Sequence, residues 1–227
     1  GTAVALLLAT GAPSQTWTRR TLGRFCTGLG APLFQLGMTH EYLARARADA
    51  LSEGFTYYVD NHLRPYTGQH TLRQGWRMQE KRARPGVTDF YVHDEDGRPV
   101  RHVVAPAHDA LTEVLSPIAR FLRDALGPEE RILLAFDRGG SFPTEMAELR
   151  DEGFEFVTYE RRPYSNLPKS VFVCRAVVRG QQLRWCEPAR ANLGRGRGRV
   201  RRICVLTDEG QQLNLVAISR RPAPRLI

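Results

Sequence analysis

Apolar positions along the chain change period twice. Residues 1–53 follow helical spacing with breaks. An apolar run over 3–10 ends at Gly11, Ala12 and Pro13, a basic stretch covers 16–25, and 39–51 sets Leu43, Ala46, Ala50 and Leu51 at near-helical intervals. A helical N-terminal segment is expected there, its exposed arginines suited to DNA contact or simply solvated. From residue 55 the period shortens. Residues 55–60 (FTYYVD), 89–93 (DFYVH) and 100–105 are rich in aromatic and β-branched types and predict three strands. The last two are joined by Asp94, Glu95, Asp96 and Gly97, whose final pair is a hairpin signal. A basic stretch over 61–84, broken by Pro65, Gly68 and Gly75, separates the first two.

Helix and strand then alternate. Over 109–126, Leu111, Val114, Leu115, Ile118, Phe121, Leu122 and Leu126 share one helical side; Pro117 allows a kink, and Gly127 and Pro128 form the stop. Residues 131–136 (RILLAF) are a near-continuous apolar run, typical of a strand buried on both faces. A helix over 144–152 ends at Gly153, and 154–159 (FEFVTY) is the next strand. Four strand-like pieces follow, at 171–178, 182–186, 200–206 and 213–218, and predict a small antiparallel unit. The expected class is α/β. A mixed sheet built strand-strand-strand-helix-strand-helix-strand occupies 54–160, flanked by the helical segment 1–53 and an antiparallel β-rich part over 161–227.

Composition narrows the function. The 227 residues are 42% hydrophobic and 25% charged, which fits a folded soluble protein and not a disordered one. The formal charge of +9 points to a polyanionic partner, nucleic acid first. Coding bias explains the choice of arginine over lysine, present only at Lys81 and Lys169, but not the net excess. Cys26, Cys174, Cys186 and Cys204 form no C-x-x-C pair and are expected to be reduced cytoplasmic thiols, not zinc ligands. No apolar stretch approaches the ~20 residues of a membrane span. Residues 3–10 lack the basic flank of a signal peptide, and a chain opening without Met is expected to start inside a longer reading frame.

Two aspartates fit this scaffold. Asp60 closes the first predicted strand and Asp137 the fourth. The element order is that of the RNase H-like fold, in which those strands are parallel neighbours about 4.8 Å apart, so the carboxylates meet at one end of the sheet. Such a pair suits two divalent ions about 3.5–4 Å apart, the spacing of two-metal phosphoryl transfer. Either Asp alone reads equally well as the start of a turn. Their joint placement carries the reading.

The surrounding residues resemble the catalytic blocks of bacterial insertion-sequence transposases of the DDE (Asp-Asp-Glu) family. Tyr57, Tyr58, Val59, Asp60, Asn61 and His62, followed by Arg64, Tyr66, Thr67 and Gly68, are similar to the first-acid block. Thr88, Asp89, Phe90, Tyr91 and Val92 are similar to the second strand; Phe136, Asp137, Arg138, Gly139 and Gly140 to the second-acid block; Gly153, Phe154, Thr158 and Tyr159 to the strand after it. The similarity runs from about residue 16 onward and is most specific at the Asp-Arg-Gly-Gly block. It implies an RNase H-like catalytic domain with a β-rich insertion after the fifth strand, and Mg2+ or Mn2+ held by Asp60, Asp137 and a Glu. It further implies DNA transposition: cleavage at transposon ends in double-stranded DNA and joining of the freed 3′-OH to a target. A cytoplasmic, nucleoid-associated location away from membranes follows, with full-length relatives dimeric on DNA.

In that family the Glu lies on a helix after the insertion, and this sequence is expected to stop short of it, at 222–227. Asp208 and Glu209 precede Gly210 in a turn, and Glu145 and Glu148 are expected on a solvated helix face. The expectation is therefore a transposase fragment lacking its third acid, holding its ions weakly and inactive alone. Magnesium-dependent nicking of end-sequence DNA, abolished by Asp137→Ala, would overturn it. A non-catalytic DNA-binding derivative and an RNase H-like nuclease of other purpose are the alternatives.

Three further groups are candidates. His62 shares the face of Asp60 if the strand continues, beside metal or phosphate or as a plain loop histidine. Arg138 meets DNA phosphate or a nearby carboxylate, while Gly139 and Gly140 either offer amides to a phosphate at a helix start or serve a tight turn. Residues 190–202 interleave glycine with Arg195, Arg197, Arg199, Arg201 and Arg202 and contain no acid. They predict a flexible loop on DNA backbone, or a solvated hairpin tip.

Overall fold

A computed structural model describes residues 55–77, 80–95, 97–178, 180–194 and 196–218. The helical reading of 1–53 and the position of Cys26 lie outside the described residues. The first aromatic run forms β1 (Phe55–Pro65), followed by β2 (Gln74–Arg77), β3 (Arg82–Asp94) and β4 (Pro99–Pro106). Helix α1 (Leu111–Leu126), β5 (Ile132–Phe136), a 3-10 turn (Arg138–Gly140), α2 (Pro143–Asp151) and β6 (Glu155–Tyr159) alternate as expected. The remaining strands are β7 (Cys174–Val178), β8 (Gln181–Cys186), β9 (Ala191–Asn192), β10 (Arg199–Leu206) and β11 (Gln212–Ile218). The fold is mixed α/β, and among the described residues no helix is long and apolar enough to cross a membrane.

The strands join in the order β2-β3-β1-β5-β6-β11-β10-β8-β7, with β4 also on β3 and β9 also on β10. Strands β1, β5 and β6 run parallel, and β3 pairs antiparallel with β1. The C-terminal strands do not build a sheet of their own. β11 pairs antiparallel with β6, from Leu215 against Tyr159 to Ile218 against Phe156, so the central sheet continues through it. Left uncovered, β6 would present a row of unpaired backbone groups; β11 satisfies them.

Alternation decides which side each residue covers. On β10, Ile203 and Val205 join Leu183 and Ala217 in one core cluster, while Cys204 and Leu206 join Phe172 and Cys186 in another. In α1, Leu111, Leu115, Ile118, Ala119, Leu122 and Leu126 are buried at helical spacing, and the helix packs against α2 and β5. Pro117 stands inside α1, which runs on to Leu126. Gly127, at φ 117°, ends it by donating its N–H to the Arg123 carbonyl at 2.8 Å. Arg120 bridges to Glu152 and ties the two helices together.

Candidate active site

The parallel register of β1 and β5 runs from Phe55 opposite Ile132 to Val59 opposite Phe136. The next residue on each strand is an aspartate. Asp60 and Asp137 are therefore neighbours across one strand spacing, about 4.8 Å. Both are exposed, and both line a cleft of about 390 Å3 with Tyr58, His93, Thr158, Tyr159 and Leu215. A larger cleft of about 690 Å3, bounded by Thr71, Arg73, Gly86, Val104 and His108, has no carboxylate on its walls. Both candidate acids lie in the smaller one.

Asp60 does not close its strand, as the sequence suggests. β1 continues to Pro65 because its pairing with β3 persists, placing Asp60 opposite Tyr91 and His62 opposite Asp89. His62 is exposed and shares the face of Asp60 by strand alternation. The backbone N–H of Asn61 donates to Asp60 Oδ1 at 2.8 Å. Tyr58, also on this face, stacks on His93 with centroids 5.2 Å apart.

Asp137 is fixed from two sides. Thr158 Oγ1 donates to its carbonyl at 2.9 Å, and the Gly139 N–H donates to its Oδ1 at 2.7 Å, capping the 3-10 turn. The amides after Gly139 are bonded within the turn as well. Gly140 donates to the Asp137 carbonyl, Ser141 to Arg138 and Phe142 to Gly140. Gly139 and Gly140 thus serve the tight-turn role, and none of these amides faces outward to cradle a phosphate. A Cβ on Gly140 would lie 2.8 Å from the Phe136 ring and 3.2 Å from Leu111.

On the same face as Asp60, opposite His62, the buried Asp89 takes two hydrogen bonds from Arg64, at 2.8 and 3.0 Å, and lies 2.9 Å from His102 Nε2. Burial pushes its carboxyl up, but the hydrogen bonds from Arg64 and His102, with the charge of Arg64, outweigh it and leave the pKa lowered. His102 in turn stacks on Tyr91, at 4.8 Å between centroids. One carboxylate therefore ties β1, β3 and β4 beside Asp60.

The arginine-rich segment is elsewhere. β10 runs parallel to β6, so Arg199 starts it at the end of the sheet opposite the acids. Three strand spacings across and about four residues along put it roughly 20 Å from Asp137. The segment is a compact turn. Gly194, Gly196 and Gly198 adopt φ of 102°, 75° and 77°, Leu193 donates to the Gly198 carbonyl at 3.0 Å, and Arg150 of α2 donates to the Arg197 carbonyl. Arg197 and Arg199 are exposed, Arg201 pairs with Glu187 and Arg202 with Glu160, and Arg195 lies outside the described residues.

Of the other acids, Asp208 and Glu209 lie in the β10–β11 turn, and Glu148 accepts from Ser116 at 3.2 Å. Glu145 stands in the first turn of α2, partly buried. Among the described residues no group of three or more His, Cys, Asp or Glu is disposed to hold one ion. Sequence reasoning missed Thr158 and Arg161. Only the register of β6 on β5 reveals the first, and only the hydrogen bond from Arg161 to the Arg138 carbonyl reveals the second. Neither a protein-family model nor a curated protein sequence matches this chain.

Proposed function

We propose that this chain is a DNA-processing protein of the DDE-transposase type, with an RNase H-like core in which Asp60 and Asp137 hold divalent ions for phosphoryl transfer. The register that sets these two carboxylates side by side at the ends of parallel strands carries the reading. The neighbouring order β3-β1-β5-β6, with β3 alone antiparallel among them, supports the RNase H-like assignment. The net charge of +9 supports a nucleic-acid substrate.

The donor set fits Mg2+ or Mn2+, which prefer carboxylate oxygens. Each aspartate directs one oxygen to a backbone amide, and the other has no hydrogen-bond partner among the described residues. When bound, such ions activate the attacking water or 3′-OH and stabilise the leaving oxygen. The protein holds Asp137 through Thr158 and Gly139, holds β1 against β3 through Asp89 and Arg64, and sets His62 on the same face for substrate phosphate. Two carboxylates grip an ion weakly, so the proposal includes low metal affinity and little cleavage unless a further carboxylate joins them.

Mn2+ titration followed by electron paramagnetic resonance tests this. Asp60→Asn and Asp137→Asn should each weaken binding by at least about tenfold; equal binding in all three proteins sinks the reading. The second reading is DNA binding without catalysis, which the net charge of +9 alone supports. It predicts duplex binding with no magnesium-dependent nicking.

A further inference from the structure

In the turn after Asp137 the amides of Gly139, Gly140, Ser141 and Phe142 all donate within the turn. Positive charge at this edge of the sheet comes from side chains instead. The Arg138 guanidinium lies 5.4 Å over the Tyr159 ring, and the Arg161 guanidinium lies 3.8 Å over the Phe142 ring. Arg161 also donates to the Arg138 carbonyl at 3.4 Å, linking the segment after β6 to the turn after β5.

Arg161 follows a residue held at several points. The Glu160 N–H donates to the Asn214 carbonyl at 2.8 Å, and its carboxylate accepts from Asn214 at 2.8 Å and from Arg202 at 2.9 Å. Further on, Leu167 donates to Gln212 at 2.7 Å. Both Arg138 and Arg161 are exposed, and among the described residues neither lies within ion-pair distance of a carboxylate. Arg64, Arg131 and Arg202 are all so paired. Rings and a carbonyl orient these two guanidiniums without neutralising them. Arginine's planar fork suits phosphodiester oxygens in that state.

We infer that Arg161, with Arg138, is a positioning pair that holds the DNA phosphodiester against the acid pair; this rests on the metal-site reading above. A phosphate held there would offer an oxygen ligand to an ion bound by Asp60 and Asp137, so DNA and metal should bind with positive, reciprocal coupling.

Mn2+ affinity is measured with and without a saturating short blunt DNA duplex. In the wild-type chain the duplex should raise Mn2+ affinity several-fold. Arg161→Gln and Arg138→Gln should remove most of that gain while leaving Mn2+ binding without DNA unchanged, and Arg197→Gln should retain the gain. An unchanged gain in Arg161→Gln and Arg138→Gln overturns the inference, as does the absence of any gain in the wild-type chain. Failure of the acid-pair reading is seen separately, as unchanged DNA-free Mn2+ binding in Asp137→Asn. Both arginines are exposed, and unaltered circular dichroism and Tm establish that the variants fold.

Discussion

Asp60 and Asp137 stand next to each other because Val59 and Phe136 are the last in-register pair of two parallel strands. The juxtaposition is backbone-determined, so it needs no ion to form. Like charges this close repel, and a divalent cation relieves that repulsion. Mn2+ should therefore raise Tm. At a concentration about a hundredfold above its Kd the gain is about 2.7 kcal/mol, or roughly 5–10 °C for a chain of this size. Asp137→Asn should abolish the shift in differential scanning fluorimetry, and a variant that keeps it would remove Asp137 from the site.

Adjacent glycines in the turn after Asp137 should fail in different ways. A Cβ at 140 meets the Phe136 ring at 2.8 Å and Leu111 at 3.2 Å, both buried, so Gly140→Ala overpacks the core and costs about 1–3 kcal/mol. A Cβ at 139 instead meets Asp137 Oδ1 at 2.9 Å. Gly139→Ala should weaken Mn2+ binding more than it lowers Tm. Denaturation and metal titration of both variants separate the effects, and identical profiles would contradict the packing.

Much of this architecture is legible in the residues. The helical spacing from Leu111, the apolar run Ile132–Phe136 and the turn closed by Gly97 each announce their element, because one local pattern dominates. β2 and the extensions of β1 and β3 are not legible, since Pro65, Gly68 and Gly75 read as breakers and Gly86 carries no strand signal. Tertiary contact reverses their meaning: a Cβ on Gly75 would lie 2.4 Å from the Ala107 carbonyl, and one on Gly86 2.3 Å from the Arg64 carbonyl. These glycines let backbones approach inside strands. The two aspartates are visible in the sequence, but their register is not. Thr158 and Arg161 reach the turn after β5 only through the β5–β6 pairing, which no local pattern encodes. The arginine-rich segment misleads for the converse reason. Its glycines suggest flexibility, yet they take the positive φ that a tight turn requires.

Asp89 should make stability depend on acid pH. Its folded pKa lies below the unfolded value of about 3.9, so its contribution is complete above that value and is lost as pH falls through the folded pKa. Asp89→Asn forfeits charge-assisted hydrogen bonds from Arg64 and His102, at about 1.5–3 kcal/mol near neutral pH. The gap between wild type and variant should narrow at about pH 3. Urea denaturation at both pH values gives the answer; a constant gap would exclude ionisation of Asp89 as its source.

Cys204 and Cys186 sit opposite each other on β10 and β8, both buried. Desolvation, with the neighbouring Cys186 and Glu160, pushes the Cys204 thiol up to about 12, and burial raises Cys186 too. The thiolate is the reactive form, so both should resist a disulfide reagent in the native chain and react on unfolding. Among the described cysteines Cys174, only partly buried, should react first. Rapid native labelling of Cys204 would show that the β8–β10 edge opens.

Separation of the arginine-rich turn from the acids predicts separable functions. Arg197 and Arg199 are exposed and meet no carboxylate among the described residues, whereas Arg201 and Arg202 are ion-paired within the fold. If the first two contact DNA phosphate, replacing both with Gln should weaken duplex binding and reduce the slope of log affinity against log salt by nearly two, about 0.9 per contact. Mn2+ binding should not change, because the turn lies roughly 20 Å from Asp137. Replacing Arg201 and Arg202 should behave differently. Removing Arg202 leaves Glu160 with Asn214 alone in a partly buried setting, so Tm should fall even where the salt slope stays the same. Anisotropy titrations over a salt series, paired with thermal denaturation, distinguish the two arginine classes. A salt slope unaffected by Arg197→Gln with Arg199→Gln would reduce the turn to a solvated hairpin tip and leave DNA contact to the acid-bearing edge.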